Sequence, residues 1–169
     1  LLIGSYAALL WIIEALTGDS WQTYIQKNVF SPLGLDRSYF GTTPYWLAED
    51  RSHNYDIVSS GGEGEAVVDN GADFDPGITI PNGGWNAPVD DLAAYAAFLV
   101  GASGGDSEKQ RRFDAVLDRE TLEEMWEPQV TVSGDPEAGH FESMGRSFFL
   151  VDHRDRSLIG HTGSQAGFR

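Results

Sequence analysis

Ser157-Leu158-Ile159-Gly160-His161-Thr162-Gly163-Ser164-Gln165-Ala166-Gly167-Phe168-Arg169 is the stretch on which the reading of this chain turns. Leu158 and Ile159 predict a short strand, and His161-Thr162-Gly163 follows without a break, framed by Gly160 and Gly167. An imidazole can hold or donate a proton near neutral pH. The Thr162 hydroxyl can hydrogen-bond an anion, and Gly163 lets a substrate approach the backbone closely. Such a strand suits one edge of a reaction cleft. The tripeptide alone equally fits a strand that runs into a glycine turn, so its neighbours have to decide.

Working outward, residues 147–151 predict a strand, 152–155 a polar turn, and 158–163 the antiparallel return. His153 is expected in that turn, exposed to solvent rather than ligating a metal. Asp118 predicts the cap of a short helix through Leu122 and Met125, ended by Pro128. Residues 101–106 read as flexible and 108–112 as a solvated charged face. Further upstream, Ile80-Pro81-Asn82-Gly83-Gly84-Trp85-Asn86 predicts a tight glycine turn leading into a helix. Asn86 is the expected N-cap, Pro88 falls in the first turn, and Asp90 and Asp91 lie near the positive end of the helix dipole. Leu92, Tyr95, Phe98 and Leu99 form the expected buried stripe.

The first half predicts a helical hairpin. Leu9, Leu10, Ile12, Ile13 and Leu16 recur at helical spacing, closed by Thr17 and by Gly18 as the C′ residue. Asp19 or Ser20 then caps a second helix with Trp21, Tyr24, Ile25 and Phe30 on its apolar face, and Ser31-Pro32-Leu33-Gly34 stops it. Both apolar faces are expected in the core. Residues 35–41 read as short and extended, 42–44 as a turn, and Tyr45-Trp46-Leu47 as the start of a brief helix ending near Asp50. Residues 59–77, rich in Gly, Asp and Glu, predict a long surface loop. Asp69, Asp73 and Asp75 within it lack the alternating ligands, glycine and twelfth-position glutamate of a calcium loop, so a solvated acidic loop is expected.

Composition narrows the function classes. The chain has 169 residues, 41% hydrophobic and 12% aromatic, which suits a packed domain rather than disorder. A net charge of −15, from 26 acidic and 11 basic residues, speaks against nucleic acid or an anionic membrane as partner. The absence of cysteine removes disulfides, thiolate nucleophiles and Cys-based zinc sites. No membrane segment or signal peptide is read in this chain, no metal or organic cofactor is indicated, and the compartment stays open. The chain opens inside an apolar run and ends one residue after Phe168, so a longer parent protein is expected.

The ordered set of motifs resembles a known family. Ile12-Ile13-Glu14-Ala15-Leu16-Thr17-Gly18, Val29-Phe30-Ser31-Pro32-Leu33-Gly34-Leu35, Pro81-Asn82-Gly83-Gly84, Asp91-Leu92-Ala93 and His161-Thr162-Gly163 stand in the order of the serine β-lactamase and DD-peptidase family. The likeness is to its broad, class C-like form, which also holds esterases and D-amino-acid peptidases. The resemblance implies an α+β fold, with a helical region over residues 1–130 and part of an antiparallel sheet, flanked by helices, over 143–169. It implies an acyl-enzyme mechanism on amide or ester bonds of a small-molecule or peptide substrate. His161 would lend positive or hydrogen-bonding character to the proton network, and Thr162 would bind a substrate carboxylate or carbonyl. Gly163 would leave room for the acyl group, and the Ser164 backbone N–H would be an oxyanion-hole donor. A periplasmic or extracellular setting is what the family favours.

The departures are equally concrete. The family's Ser-x-x-Lys is missing: Ser107 has Lys109 two places on, the wrong spacing. No Tyr-x-Asn exists, and Ser164 follows Gly163 without the rest of a Gly-x-Ser-x-Gly elbow. The chain is therefore expected to carry one wall of an active site without its nucleophile or base. A non-catalytic homologue that binds cell-wall peptide or a protein partner is the second reading, and an unrelated α+β domain with a chance tripeptide the third.

Overall fold

In the computed structural model the described residues are 3–60, 64–71, 77–135, 137 and 139–164. The chain divides into two compact units, one running through Ala97 and taking in Gly163 and Ser164, the other Phe98–Thr162.

The first unit opens with helix α1, Ile3–Thr17, and Gly18 follows at φ 74 with its N–H donating to the Glu14 carbonyl, 2.9 Å. Glycine reaches this left-handed conformation without a Cβ clash, which is why the helix stops there. Ser20 caps α2, Trp21–Ile25, by accepting from the Thr23 N–H at 3.3 Å. Asp19, the alternative cap, instead accepts an ion pair from Lys27 at 2.8 Å. A π turn, Gln26–Phe30, then carries the helix on into α3, Ser31–Leu33. The helix ends within residues 31–34 as expected, though not at Pro32. Pro32 sits in the first turn of α3, where its missing N–H costs little.

The stop is Gly34, at φ 71. Its N–H donates to Ser31 O (3.2 Å) and that of Leu35 reaches back to Phe30 O (2.9 Å), the paired closure of a Schellman motif. Leu35, fully buried, anchors it apolarly.

Two short strands follow this turn at a distance in sequence. β1, Tyr39–Phe40, pairs antiparallel with β4, Trp85–Asn86. That pairing overturns the N-cap assigned to Asn86: the residue lies in a strand, and its Nδ2 donates to Gly84 O at 3.0 Å. Helix α5, Val89–Val100, starts three residues later with Asp90 and Asp91 in its first turn as expected. Around the ribbon, Trp21 packs edge-on to Phe40 at 4.9 Å, while Phe30 stacks on Phe40 at 5.7 Å and on Trp85 at 5.9 Å. These rings, with Leu33 and Leu35, make the core of the unit.

Three further expectations fail in this unit. The apolar stripe of α1 is not buried, for Leu9, Ile12 and Leu16 are 50, 52 and 81% exposed, and Trp11 67%. The helix is apolar nearly all round, and its described neighbours (α2, the 3-10 turn Gly77–Thr79, and the short helix α4, Ile80–Gly83) leave that face uncovered. Residues 59–77 are not one long loop. β2, Tyr55–Ser60, and β3, Gly64–Asp69, form an antiparallel hairpin in which Ile57 faces Val67 and Val58 faces Ala66, so apolar cross-strand pairs outweigh the acidic composition. Leu92 is 45% exposed, so the stripe on α5 narrows to its partly buried and buried members, Tyr95, Phe98 and Leu99. Asp69 accepts from His53 and from Gly71 N–H, each at 2.7 Å, while Asp73 and Asp75 lie outside the described residues.

The second unit is two helices and a four-stranded antiparallel sheet. The charged face expected at 108–112 belongs to helix α6, Ser107–Val116, capped by Asp106, whose Oδ1 accepts from the Glu108 and Lys109 N–H groups at 2.8 and 3.1 Å. A low mean hydropathy hides it, but Phe113 buries itself against Phe98 at 5.6 Å. Asp118 caps α7, Arg119–Glu124, as expected, accepting from Thr121 N–H at 2.9 Å. Arg119 reaches back from α7, donating to Leu99 O at 2.8 Å and lying 4.7 Å over the Trp126 ring.

The sheet runs β5-β6-β7-β8: Val130–Asp135, His140–Met144, Phe149–His153 and Arg156–Gly160. Sequence patterning found only the last hairpin. β5 is exposed throughout, so no burial alternation marks it. The turn between β7 and β8 is two residues, Arg154 and Asp155, with Arg154 at φ 56. His153 is thus strand, paired with Arg156, not turn. The mixed helix and antiparallel sheet fit the expected α+β class.

Candidate functional site

β7 and β8 place the candidate site. Their register pairs Phe149 with Gly160, the last residue of β8, so His161 emerges just past the sheet. The strand stops immediately before the His-Thr-Gly unit rather than carrying it, and His161, Thr162, Gly163 and Ser164 are all exposed. The His161 ring lies 5.1 Å from the Phe149 ring at 44°, which orients the imidazole from one side. His161 Nδ1 is 2.5 Å from the Thr162 carbonyl oxygen. A carbonyl can only accept, so Nδ1 carries the proton in this contact. In the neutral ring Nε2 is then left with its lone pair.

Gly163 is not imposed by packing. A Cβ built there would meet no described atom within 4 Å. The contrast with Gly145 is clear, where a Cβ would run into the Met125 carbonyl. Among the described residues nothing fills the space beside Gly163. The framing Gly167 lies outside the described residues.

Two other titratable clusters lie among the described residues. His140 and His153 pack edge-on at 5.6 Å, with His140 Nε2 3.5 Å from Glu142. Among the described residues no group of three or more His, Cys, Asp or Glu side chains could hold a metal ion. His53 and Gly71 N–H, in that order, draw the Asp69 carboxyl below the usual range.

One feature escaped sequence reasoning entirely. The first unit holds a cleft of about 440 Å³ whose lining joins Arg37, Tyr39, Arg51 and Asn54 to Gly84 and Trp85. These residues come together only through the β1–β4 pairing, and no local motif announces them.

The sequence profile of the Beta-lactamase family matches residues 4–169. The chain belongs to the beta-lactamase family. Among solved structures, this beta-lactamase family chain is similar to the octameric penicillin-binding protein homologue from Pyrococcus abyssi, at 24% identity and a TM-score of 0.71, over 97% of this chain and 33% of that one. It is also similar to the D-amino acid amidase from Ochrobactrum anthropi SV3, at 20% identity and 0.63, over 97% and 42%. The D-stereospecific amidohydrolase from Streptomyces sp. aligns at 22% identity and 0.58, over 92% and 40%. No curated protein matches. The beta-lactamase family chain thus shares the fold of these proteins and spans about a third to two fifths of their length. No helix among its described residues is long and apolar enough to cross a membrane.

Proposed function

We propose that this chain supplies one wall of the active site of a serine hydrolase working by acyl-enzyme chemistry on amide or ester bonds. The observation that carries the reading is the exposed His161-Thr162-Gly163-Ser164 run at the end of β8, in a chain of the beta-lactamase family. In this reading a serine outside these 169 residues attacks the acyl carbon. The Ser164 N–H donates to the oxygen that becomes an oxyanion, a contact whose loss typically raises the barrier by roughly 3 kcal/mol. His161, held with Nδ1 toward the Thr162 carbonyl, offers Nε2 to the proton traffic between nucleophile and leaving group. Thr162 would bind the substrate carboxylate or carbonyl, and the open space at Gly163 would receive the acyl group.

Amide substrates are supported by two of the neighbours, which are an amidase and an amidohydrolase by name. DD-peptidase, esterase and β-lactamase activity all share the required geometry. Because the sequence carries no Ser-x-x-Lys and no Tyr-x-Asn, the 169 residues by themselves should not be acylated. Incubation with a fluorescent penicillin or a fluorophosphonate tests this, and stoichiometric labelling would refute it.

That same missing pair favours a second reading, a non-catalytic homologue that uses the wall to bind cell-wall peptide or a protein partner. Translating the gene upstream of Leu1 separates the two: Ser-x-x-Lys followed by Tyr-x-Asn supports the enzyme, and an intact upstream region without them supports the binding protein.

A further inference from the structure

We propose that the outer edge of strand β3 is a docking site for an extended peptide segment that alternates basic and apolar residues and joins the β2–β3 hairpin as a third strand. The inference stands on the first unit alone and does not rest on the serine hydrolase reading.

The hairpin has backbone groups to offer. Asn54 N–H donates to Gly71 O at 2.7 Å and Asn70 N–H donates to Asn54 O at 2.8 Å, so Asn54 stands at a hydrogen-bonded position of the ladder. Antiparallel positions alternate, and the register through Asp56↔Val68 and Val58↔Ala66 repeats that position at every second residue. The N–H and C=O groups of Glu65 and Val67 therefore point away from β2, and no other described strand pairs with β3 there. Exposed edges are commonly blunted by lysine or proline, and β3 carries neither.

The side chains select the occupant. Residues 55–59 and 65–69 are exposed on both faces of the hairpin, with Ile57 at 68% and Val67 at 70%. A two-stranded ribbon with no covered face is marginal in water, so a third strand stabilises it. Charge gives the sign of that strand. Asp56, Glu63, Glu65 and Asp69 are the charged residues of the segment 55–69, and no Lys or Arg occurs anywhere from 52 to 108. A second copy, itself at net charge −15, would bring one acidic edge against another.

Along β3 one face reads Glu65, Val67, Asp69 and the other Ala66, Val68. Asp69 is held by His53 and by the Gly71 N–H, each at 2.7 Å, whereas Glu65 has no partner among the described residues. A strand reading Lys-Thr-Val-Thr-Lys complements this pattern. Its lysines lie opposite Glu65 and Asp69, its valine opposite Val67, and its threonines against Ala66 and Val68.

The test is proton–nitrogen NMR on the protein, titrated with acetyl-Thr-Lys-Thr-Val-Thr-Lys-Thr-amide. One control peptide has proline for the valine, which keeps the charge and loses the strand. A second has glutamate for both lysines, which keeps the strand and reverses the charge. The expected result is a saturable shift of the Glu65 and Val67 backbone amides at a roughly millimolar dissociation constant, with both controls at least about tenfold weaker. Glu65→Lys, at an exposed side chain, should weaken the basic peptide roughly tenfold and strengthen the glutamate peptide. Amides of Glu65 and Val67 that stay still overturn the proposal. Equal binding of the proline peptide does so as well, since general attraction to an acidic chain would then suffice, and so does undiminished affinity in Glu65→Lys. Shifts of the same amides on raising the protein concentration alone would assign the edge to a second copy and equally overturn it.

Discussion

Ser38 Oγ donates a 2.8 Å hydrogen bond to Asp91 Oδ2, and the two residues are 6% and 7% exposed although 53 positions apart in the chain. The same carboxylate oxygen accepts from the Arg37 backbone N–H at 3.0 Å. Asp91 therefore ties the first turn of α5 to the turn after Leu35, and it is what brings β1 alongside the segment leading into α5. Replacing it by alanine orphans a buried hydroxyl and a partly buried N–H together. Asp91→Ala should lose about 2 to 3 kcal/mol, whereas Ser38→Ala should lose less, and chemical denaturation of the two variants checks the order.

The Schellman closure at Gly34 gives a second expectation. Gly34→Ala forces a Cβ into the left-handed region and should cost about 1 to 2 kcal/mol. Leu35→Ala should cost more, about 2 to 5 kcal/mol, because a fully buried side chain leaves a cavity. Equal effects would mean that conformation, not packing, dominates the corner.

Acid should weaken the second unit through its caps. The N–H groups of Lys109 and Glu108 hold the Asp106 carboxyl below its ordinary 3.8, and the Thr121 N–H and hydroxyl do the same for Asp118. A carboxyl depressed in the folded state contributes stability that is complete above the unfolded value. That contribution fades as pH falls through the lower folded value. Tm should therefore drop as pH falls below about 4, and Asp106→Asn with Asp118→Asn should lower Tm at neutral pH while flattening the acid slope. An unchanged slope in the double variant would show that other carboxylates govern acid sensitivity.

For the proposed hydrolase, His161 and Gly163 separate chemistry from folding. Both are exposed, and a Cβ at Gly163 would meet no described atom within 4 Å. In the parent enzyme His161→Ala should cut kcat/KM by about a hundredfold or more with Tm essentially unchanged. Gly163→Val should fold as well as the parent and yet block acylation by occupying the acyl space. Loss of Tm in either variant would mark these residues as structural.

What the sequence made legible follows from how local each signal is. Gly18, Gly34 and Asp118 were readable because a left-handed glycine or a capping carboxylate acts within a few residues. The β7–β8 hairpin was readable because its two strands adjoin in sequence. Asn86 was misread because the winning interaction is with Tyr39, far upstream, and a distant strand partner outcompetes a local cap. Helix α6 was missed because its signal is one cap and one buried phenylalanine amid charges. The α1 stripe had the right period and the wrong burial, since periodicity fixes a face but not what covers it. The proposed run His161 to Ser164 is contiguous in sequence and so visible as a motif, while the cleft residues Asn54 and Trp85, which no motif joins, needed the fold.

The π turn at Gln26–Phe30 has a geometric effect on the core it precedes. Trp21 and Phe30 stand nine positions apart. At roughly 100° per residue, an uninterrupted α-helix would point them to opposite sides. Both nevertheless reach Phe40, at 4.9 and 5.7 Å. The wider turn absorbs about one residue of rotation and acts as a phase shifter, rephasing two aromatic side chains onto a common target. Deleting one residue within Gln26–Phe30 would restore ordinary pitch before Phe30, so spacing there carries information that residue identity alone does not.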